Sequence, residues 1–327
     1  MHSLGLDLST DPRKAWWCEL AWPEAGDGLI RITDLGQAHA LGARDDASLV
    51  VVLAERLAAF GPAPGRIAGI DAPIGWPRAF VDAIRDWTEG PRPRLVKRSE
   101  LRLRPTDRFV LEATGLTPMS VSTDRIGSTA LLCANALSEL ADRLGVDWLD
   151  RGRAGDGIAE VYPAAALRLW STGDGRPLAT AGYKTEAAAR EVLLAQLSEV
   201  VEGDDAYWDD MVAADDALDA LLCALIAGSV ARGATLSVDE PVLAGALVPP
   251  STRVADPLAA LEARADRAEA LRVAAQPDAA REGWIHIPRR ADLPTLIAPA
   301  STPAPGLGRP LQTKSAQSPE HEVGVGA

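Results

Sequence analysis

The chain has 327 residues and a mass of 34.4 kDa, enough for one large domain or two ordinary ones whose core needs no disulfide staples. Apolar residues make up 47% and charged residues 24%, which excludes disordered and collagen-like classes. Thirty-three Lys plus Arg against 46 Asp plus Glu leave a formal charge of −13. This balance argues against a basic sleeve around nucleic acid, and an anionic partner must be met by a local patch or by metal ions.

No stretch approaches the roughly 18 apolar residues of a membrane span. The opening Met1-His-Ser-Leu-Gly-Leu-Asp7 lacks the basic flank and apolar run of a signal peptide, so a cytoplasmic location is expected. Cys18, Cys133 and Cys223 form no C-x-x-C and are expected to be buried thiols. His2, His39, His286 and His321 make no zinc spacing, so oxygen ligands must hold any metal.

Apolar residues alternate at 4, 6 and 8 before the turn Ser9-Thr-Asp-Pro12, predicting a first strand. Two further β-like runs, 15–22 and 28–35, flank Pro23-Glu-Ala-Gly-Asp27 and suit a hairpin or meander. Leu49, Val50, Leu53, Leu57 and Phe60 then recur at helical spacing and stop at Gly61-Pro62, and the short run 66–70 ending on Asp71-Ala-Pro73 predicts a buried strand. Residues 76–123 read as an irregular insertion, basic through Arg92, Arg94, Lys97, Arg98, Arg102, Arg104 and Arg108. Downstream, helices are predicted over 124–144, 164–170 (opened by Pro163), 186–201 and 215–231, with a strand at 157–162. An amphipathic, charge-laced helix follows at 256–276, then a strand-like segment at 283–288. The domain is expected to span 1–288, and the Pro, Gly, Ser and Thr-rich tail 299–327 is expected to be disordered.

Asp7 lies within the first strand and Asp71 ends the later buried one. An ionised carboxylate beside an apolar core is costly unless it is paired or holds a cation, although each residue also suits an ordinary turn. Asp216 and Asp219 are neighbours on one helix face. Acids at a helix start complement the macrodipole, which accounts for Asp215 or Asp216 better than for Asp219, whose face enters the core one turn later. Together these carboxylates could converge on Mg²⁺ or Mn²⁺, ions that take oxygen ligands and keep several waters. Two such ions about 4 Å apart would suit phosphodiester hydrolysis.

The segments Gly5-Leu-Asp7, Gly69-Ile-Asp-Ala-Pro-Ile-Gly75, Arg104-Pro-Thr-Asp107, Glu160-Val-Tyr-Pro163, Tyr183-Lys184 with Arg190, and Asp216-Ala-Leu-Asp-Ala-Leu221 resemble, in order, the blocks of the domain of unknown function 429 family. The resemblance covers roughly 3–288. It implies an α/β RNase H-like fold: a mixed five-stranded sheet flanked by helices, with an antiparallel meander of three strands and two more added parallel to the first. It also implies a predicted nuclease with Asp7, Asp71 and Asp216 or Asp219 as catalytic metal ligands. Glu55 corresponds by order alone to the Glu that RNase H enzymes carry on their first helix.

Arg102, Arg104 and Asp107 are candidates for binding a substrate phosphate, since arginine offers a planar fork, although a solvated helix face explains any single Arg about as well. Glu160, Tyr162 and Lys184 are candidates for the cleft, with Glu160 otherwise a strand-edge charge and Tyr162 a packing residue. Ser9 and Thr10 follow Asp7, where turn duty competes with binding. The expected activity is therefore metal-dependent hydrolysis of a short or structured nucleic acid or another phosphoester. An RNase H-fold ATP-dependent phosphotransferase or ATPase, or a noncatalytic binding module, are the alternatives.

Overall fold

The apolar alternation of the first strand serves two cores at once. In this computed structural model, which describes residues 1–24, 28–61, 63–90, 97–146, 151–154, 157–249 and 256–298, Leu4, Leu6 and Leu8 pack into one layer while Ser3, Gly5 and Asp7 face the other. Arg92, Arg94 and the tail 299–327 lie outside the described residues.

The strands are β1 (His2–Asp7), β2 (Trp16–Ala21), β3 (Ile30–Gln37), β4 (Arg66–Asp71), β5 (Ile158–Val161), β6 (Trp170–Ser171), β7 (Val201–Glu202), β8 (Thr235–Leu236), β9 (Ile285–Pro288) and β10 (Ala291–Asp292). The helices are α1 (Asp46–Phe60), α2 (Arg78–Glu89), α3 (Arg98–Arg102), α4 (Pro105–Thr114), α5 (Ile126–Leu144), α6 (Pro163–Leu169), α7 (Ala187–Leu197), α8 (Asp205–Ala213), α9 (Asp215–Ala231), α10 (Pro257–Ala275) and α11 (Ala279–Glu282).

One mixed sheet runs in the order β7-β3-β2-β1-β4-β5-β9-β8. Strands β1 to β3 pair antiparallel, whereas β4 pairs parallel with β1 and β5 parallel with β4. Among the described residues the sheet therefore has eight strands, not five. β7 extends one edge alongside β3, and β9 and β8 extend the other beyond β5. Two-residue strands such as β7 and β8 are too short to show an alternation, so periodicity does not reveal them.

Helices α1 and α5 cover the face carrying Leu4, Leu6 and Leu8. Helices α6, α7 and α9 cover the opposite face. A third core joins α4 and α10 to β8 and β9, with the Phe109 and Trp284 rings in tilted contact, 4.7 Å between centroids and 45° between planes. Packing continues past residue 288, since Leu293 and Leu296 are buried.

The insertion 76–123 is not irregular throughout. Its described residues form α2, α3 and α4. Pro105 opens α4 at its first turn, Asp107 accepts the Arg104 backbone N–H, and Gly115 closes the helix with φ 78°. Helix α2 buries no residue and leaves Val81, Ile84 and Trp87 exposed.

Helix α9 is apolar all round, as a helix surrounded by protein must be. Every residue from Ala217 to Val230 is buried. It lies directly on β1, β2 and β4, and its closeness to them builds the site.

Candidate metal centre

Strands β1 and β4 are parallel and in register, pairing Gly5 with Gly69 and Asp7 with Asp71. Side chains two apart on a strand share a face. The two aspartates therefore leave the same end and the same face of adjacent strands, about 4.8 Å apart by sheet geometry.

The glycine pair lies beneath α9. A Cβ on Gly69 would stand 2.7 Å from the Cys223 carbonyl oxygen, and one on Gly5 would overlap the Ala220 oxygen and Ala224 nitrogen. The helix backbone thus rests on strand backbone, and Asp219, one turn before Cys223, descends onto the strand ends. Asp7, Asp71 and Asp219 each present a carboxylate oxygen within 4.8 Å of the other two. Asp219 is 2% exposed.

Asp219 accepts hydrogen bonds from the Tyr183 hydroxyl at 3.3 Å and from the Lys184 ammonium. Lys184 also lies 3.5 Å from Asp215. The turn carrying both donors is fixed by Arg190, which donates to the carbonyls of Tyr183 at 2.9 Å and Val212 at 2.7 Å.

Three acids at this spacing resist ionisation. Burial, then the charges of Asp219 and Asp71, hold the Asp7 carboxyl well above its usual range. Burial, followed by the Asp219 charge, pushes Asp71 up to about 8. Asp219 rises to about 6 through burial, moderated by Lys184. Burial opposes the Lys184 charge, but Asp219 more than offsets it and the ammonium is held above its ordinary value. A cluster that is unfavourable as three bare carboxylates, with only oxygen donors, suits Mg²⁺ or Mn²⁺. That donor chemistry fits a divalent ion bound by Asp7, Asp71 and Asp219.

The other predicted site residues divide by position. Asp216 is half-buried and stands outside the three-carboxylate group; burial, then Asp215, raises its carboxyl. Tyr162 follows β5 and packs, partly buried, against the third core; burial, then the Asp71 charge, raises its phenol.

Arg104 cannot grip a phosphate. It is 1% exposed, and its five N–H groups are met by five bonds: Nε and Nη2 to Asp107, Nη1 and Nη2 to Glu160, and Nη1 to the Glu282 carbonyl. Asp107 and Glu160 are likewise consumed, so all three are structural. Glu160 also accepts the Ile74 N–H at 3.2 Å, fastening the loop that leaves Asp71. The clustering of Arg102, Arg104 and Arg108 in sequence disguised this, because only packing separates a buried arginine from an exposed one.

Arg102 remains partly exposed, 3.4 Å from the Thr123 hydroxyl and 4.0 Å from Asp124. The Ser9 hydroxyl accepts the Asp11 N–H, which is turn duty. Glu55 pairs with Arg143 on the α1–α5 side of the sheet, away from the three aspartates. Tyr183 and Arg190 stand in one of the family blocks, but sequence reasoning assigned neither the anchoring role of Arg190 nor the contact of Tyr183 with Asp219, which only the packing reveals.

Among the described residues no helix is long and apolar enough to cross a membrane. No curated protein and no solved structure matches the chain. A family model described as Protein of unknown function (DUF429) matches residues 5–243, from β1 past α9, and so includes all three aspartates. That match spans most of the sequence, and the chain belongs to the DUF429 family.

Proposed function

We propose that the protein is a metal-dependent phosphodiester hydrolase with an RNase H-like core, acting on a short or structured nucleic acid or a related phosphoester. The observation that carries this reading is the convergence of Asp7, Asp71 and Asp219, distant in sequence, within 4.8 Å. The strand order β3-β2-β1-β4-β5 inside the larger sheet supports it, with two of the acids at the ends of neighbouring parallel strands.

Asp7, Asp71 and Asp219 would hold the divalent ion. When bound, Mg²⁺ or Mn²⁺ supplies Lewis acidity and lowers the pKa of water toward neutrality. The chain's own residues supply rigidity. Tyr183 orients Asp219 through its hydroxyl, and Glu160, held by Arg104, fixes the loop after Asp71. Full burial of Asp219 and partial burial of Asp7 and Asp71 strengthen the charge interactions within the centre. The net charge of −13 favours a limited contact with the substrate over a long electrostatic one.

The test is cleavage of end-labelled single-stranded, double-stranded and hybrid oligonucleotides in Mg²⁺ and Mn²⁺. Wild type is expected to cleave at least one class, and Asp7→Asn and Asp71→Asn to abolish cleavage with the circular dichroism spectrum unchanged. Asp216→Asn is expected to retain cleavage. Equal cleavage by Asp7→Asn and Asp71→Asn would refute the reading.

A further inference from the structure

Lys184 has the placement of a built-in cation. Its ammonium is bonded to Asp219 and lies 3.5 Å from Asp215. The Tyr183 ring stands 5.4 Å beneath it. This lysine is held in place: the Gly182 carbonyl accepts the N–H groups of Thr185 and Glu186 at 2.9 Å each, and Gly182 takes φ 81°, a conformation that glycine adopts without strain. Arg190, only 6% exposed, ties the same turn to residues 212 and 213, directly before α9. The element that carries the ammonium and the helix that carries Asp219 are therefore clamped together.

We propose that the centre takes one divalent cation and that the Lys184 ammonium occupies the place of a second. This rests on the metal reading above and specifies its stoichiometry. The charges are compatible with it: one divalent ion and one ammonium match the three carboxylates of Asp7, Asp71 and Asp219. The hydrogen bonding agrees. One Asp219 oxygen receives Lys184 and the other receives Tyr183, so two ions bridging through Asp219 would compete with the ammonium for the remaining lone pairs and for the charge of this carboxylate. A fixed ammonium stabilises negative charge on a reacting oxygen, as the second ion of a paired site does, without needing to be recruited from solution.

The experiment is titration of the metal-stripped full-length protein with Mn²⁺ alone, counting bound ions by isothermal calorimetry and by the loss of the free Mn²⁺ paramagnetic resonance signal. Wild type and Lys184→Arg are expected to bind one ion per chain. Lys184→Met is expected to bind two, because the Asp219 oxygen is released and the centre lacks one positive charge. Lys184→Gln, which keeps a donor for Asp219 but no charge, repeats the test should the methionine variant not fold. Two ions in wild type, or one in both neutral variants, would overturn the proposal and leave the metal reading standing. No ion in wild type would overturn both.

Discussion

Replacing Asp71 with asparagine should stabilise the metal-free protein, by an amount that depends on pH. The Asp71 carboxyl is pushed from an ordinary 3.8 up to about 8, chiefly by burial and then by the Asp219 charge. Between those values the folded chain keeps a proton that the unfolded chain releases. Stability therefore falls as pH rises across that window and levels off above it. Each pKa unit corresponds to about 1.4 kcal/mol, so at pH 7 the penalty is on the order of 4 kcal/mol. The amide of the Asp71→Asn variant cannot ionise and escapes it. Urea unfolding followed by circular dichroism in EDTA should show wild type and Asp71→Asn nearly equal at pH 4. By pH 8 the variant should be ahead by on the order of 5 kcal/mol. Saturating Mn²⁺ should narrow the gap, because only wild type would offer the full ligand set. A difference that does not change with pH, or a variant less stable than wild type in EDTA at pH 8, would refute the reasoning.

Three further outcomes are expected. Gly69→Ala puts a methyl group 2.7 Å from the Cys223 carbonyl, and overpacking of this kind costs about 1–3 kcal/mol; urea unfolding measures the loss, and Mn²⁺ affinity should fall with it as α9 lifts Asp219 away. Arg104→Met leaves Asp107 and Glu160 buried without their cation, which should cost about 3–5 kcal/mol in thermal unfolding, while Arg102→Ala, at a partly exposed pair, should change stability by less than about 1 kcal/mol. Mn²⁺ at a hundred times its dissociation constant should stabilise wild type by about 2.7 kcal/mol, and the same addition should leave Asp7→Asn unmoved.

Much of this arrangement was legible in the residues, for reasons that differ by element. Leu4, Leu6 and Leu8 announce β1 because one face of that strand is wholly apolar. Helix α9 is visible because it is apolar all round, and Asp219 stands out because it interrupts that surface. The pairing of Gly5 with Gly69 is not visible as a purpose: two glycines say nothing of the helix crossing above them until the register is known. Arg104 was misread because a buried guanidinium and a phosphate-binding one share the same local sequence, and its partner Glu160 is 56 residues away. Helices α2 and α4 were hidden because Pro77 and Pro105 stand at their starts, where proline is tolerated, and prolines there read as loop signals.

The central claim is that Asp7, Asp71 and Asp219 jointly hold a divalent ion. Crystals of the wild-type protein grown or soaked with Mn²⁺ and measured near the manganese absorption edge should show an anomalous difference peak between these three carboxylates, absent from Asp7→Asn. Density elsewhere, or none at saturating Mn²⁺ with the carboxylates still turned toward one another, would contradict the account.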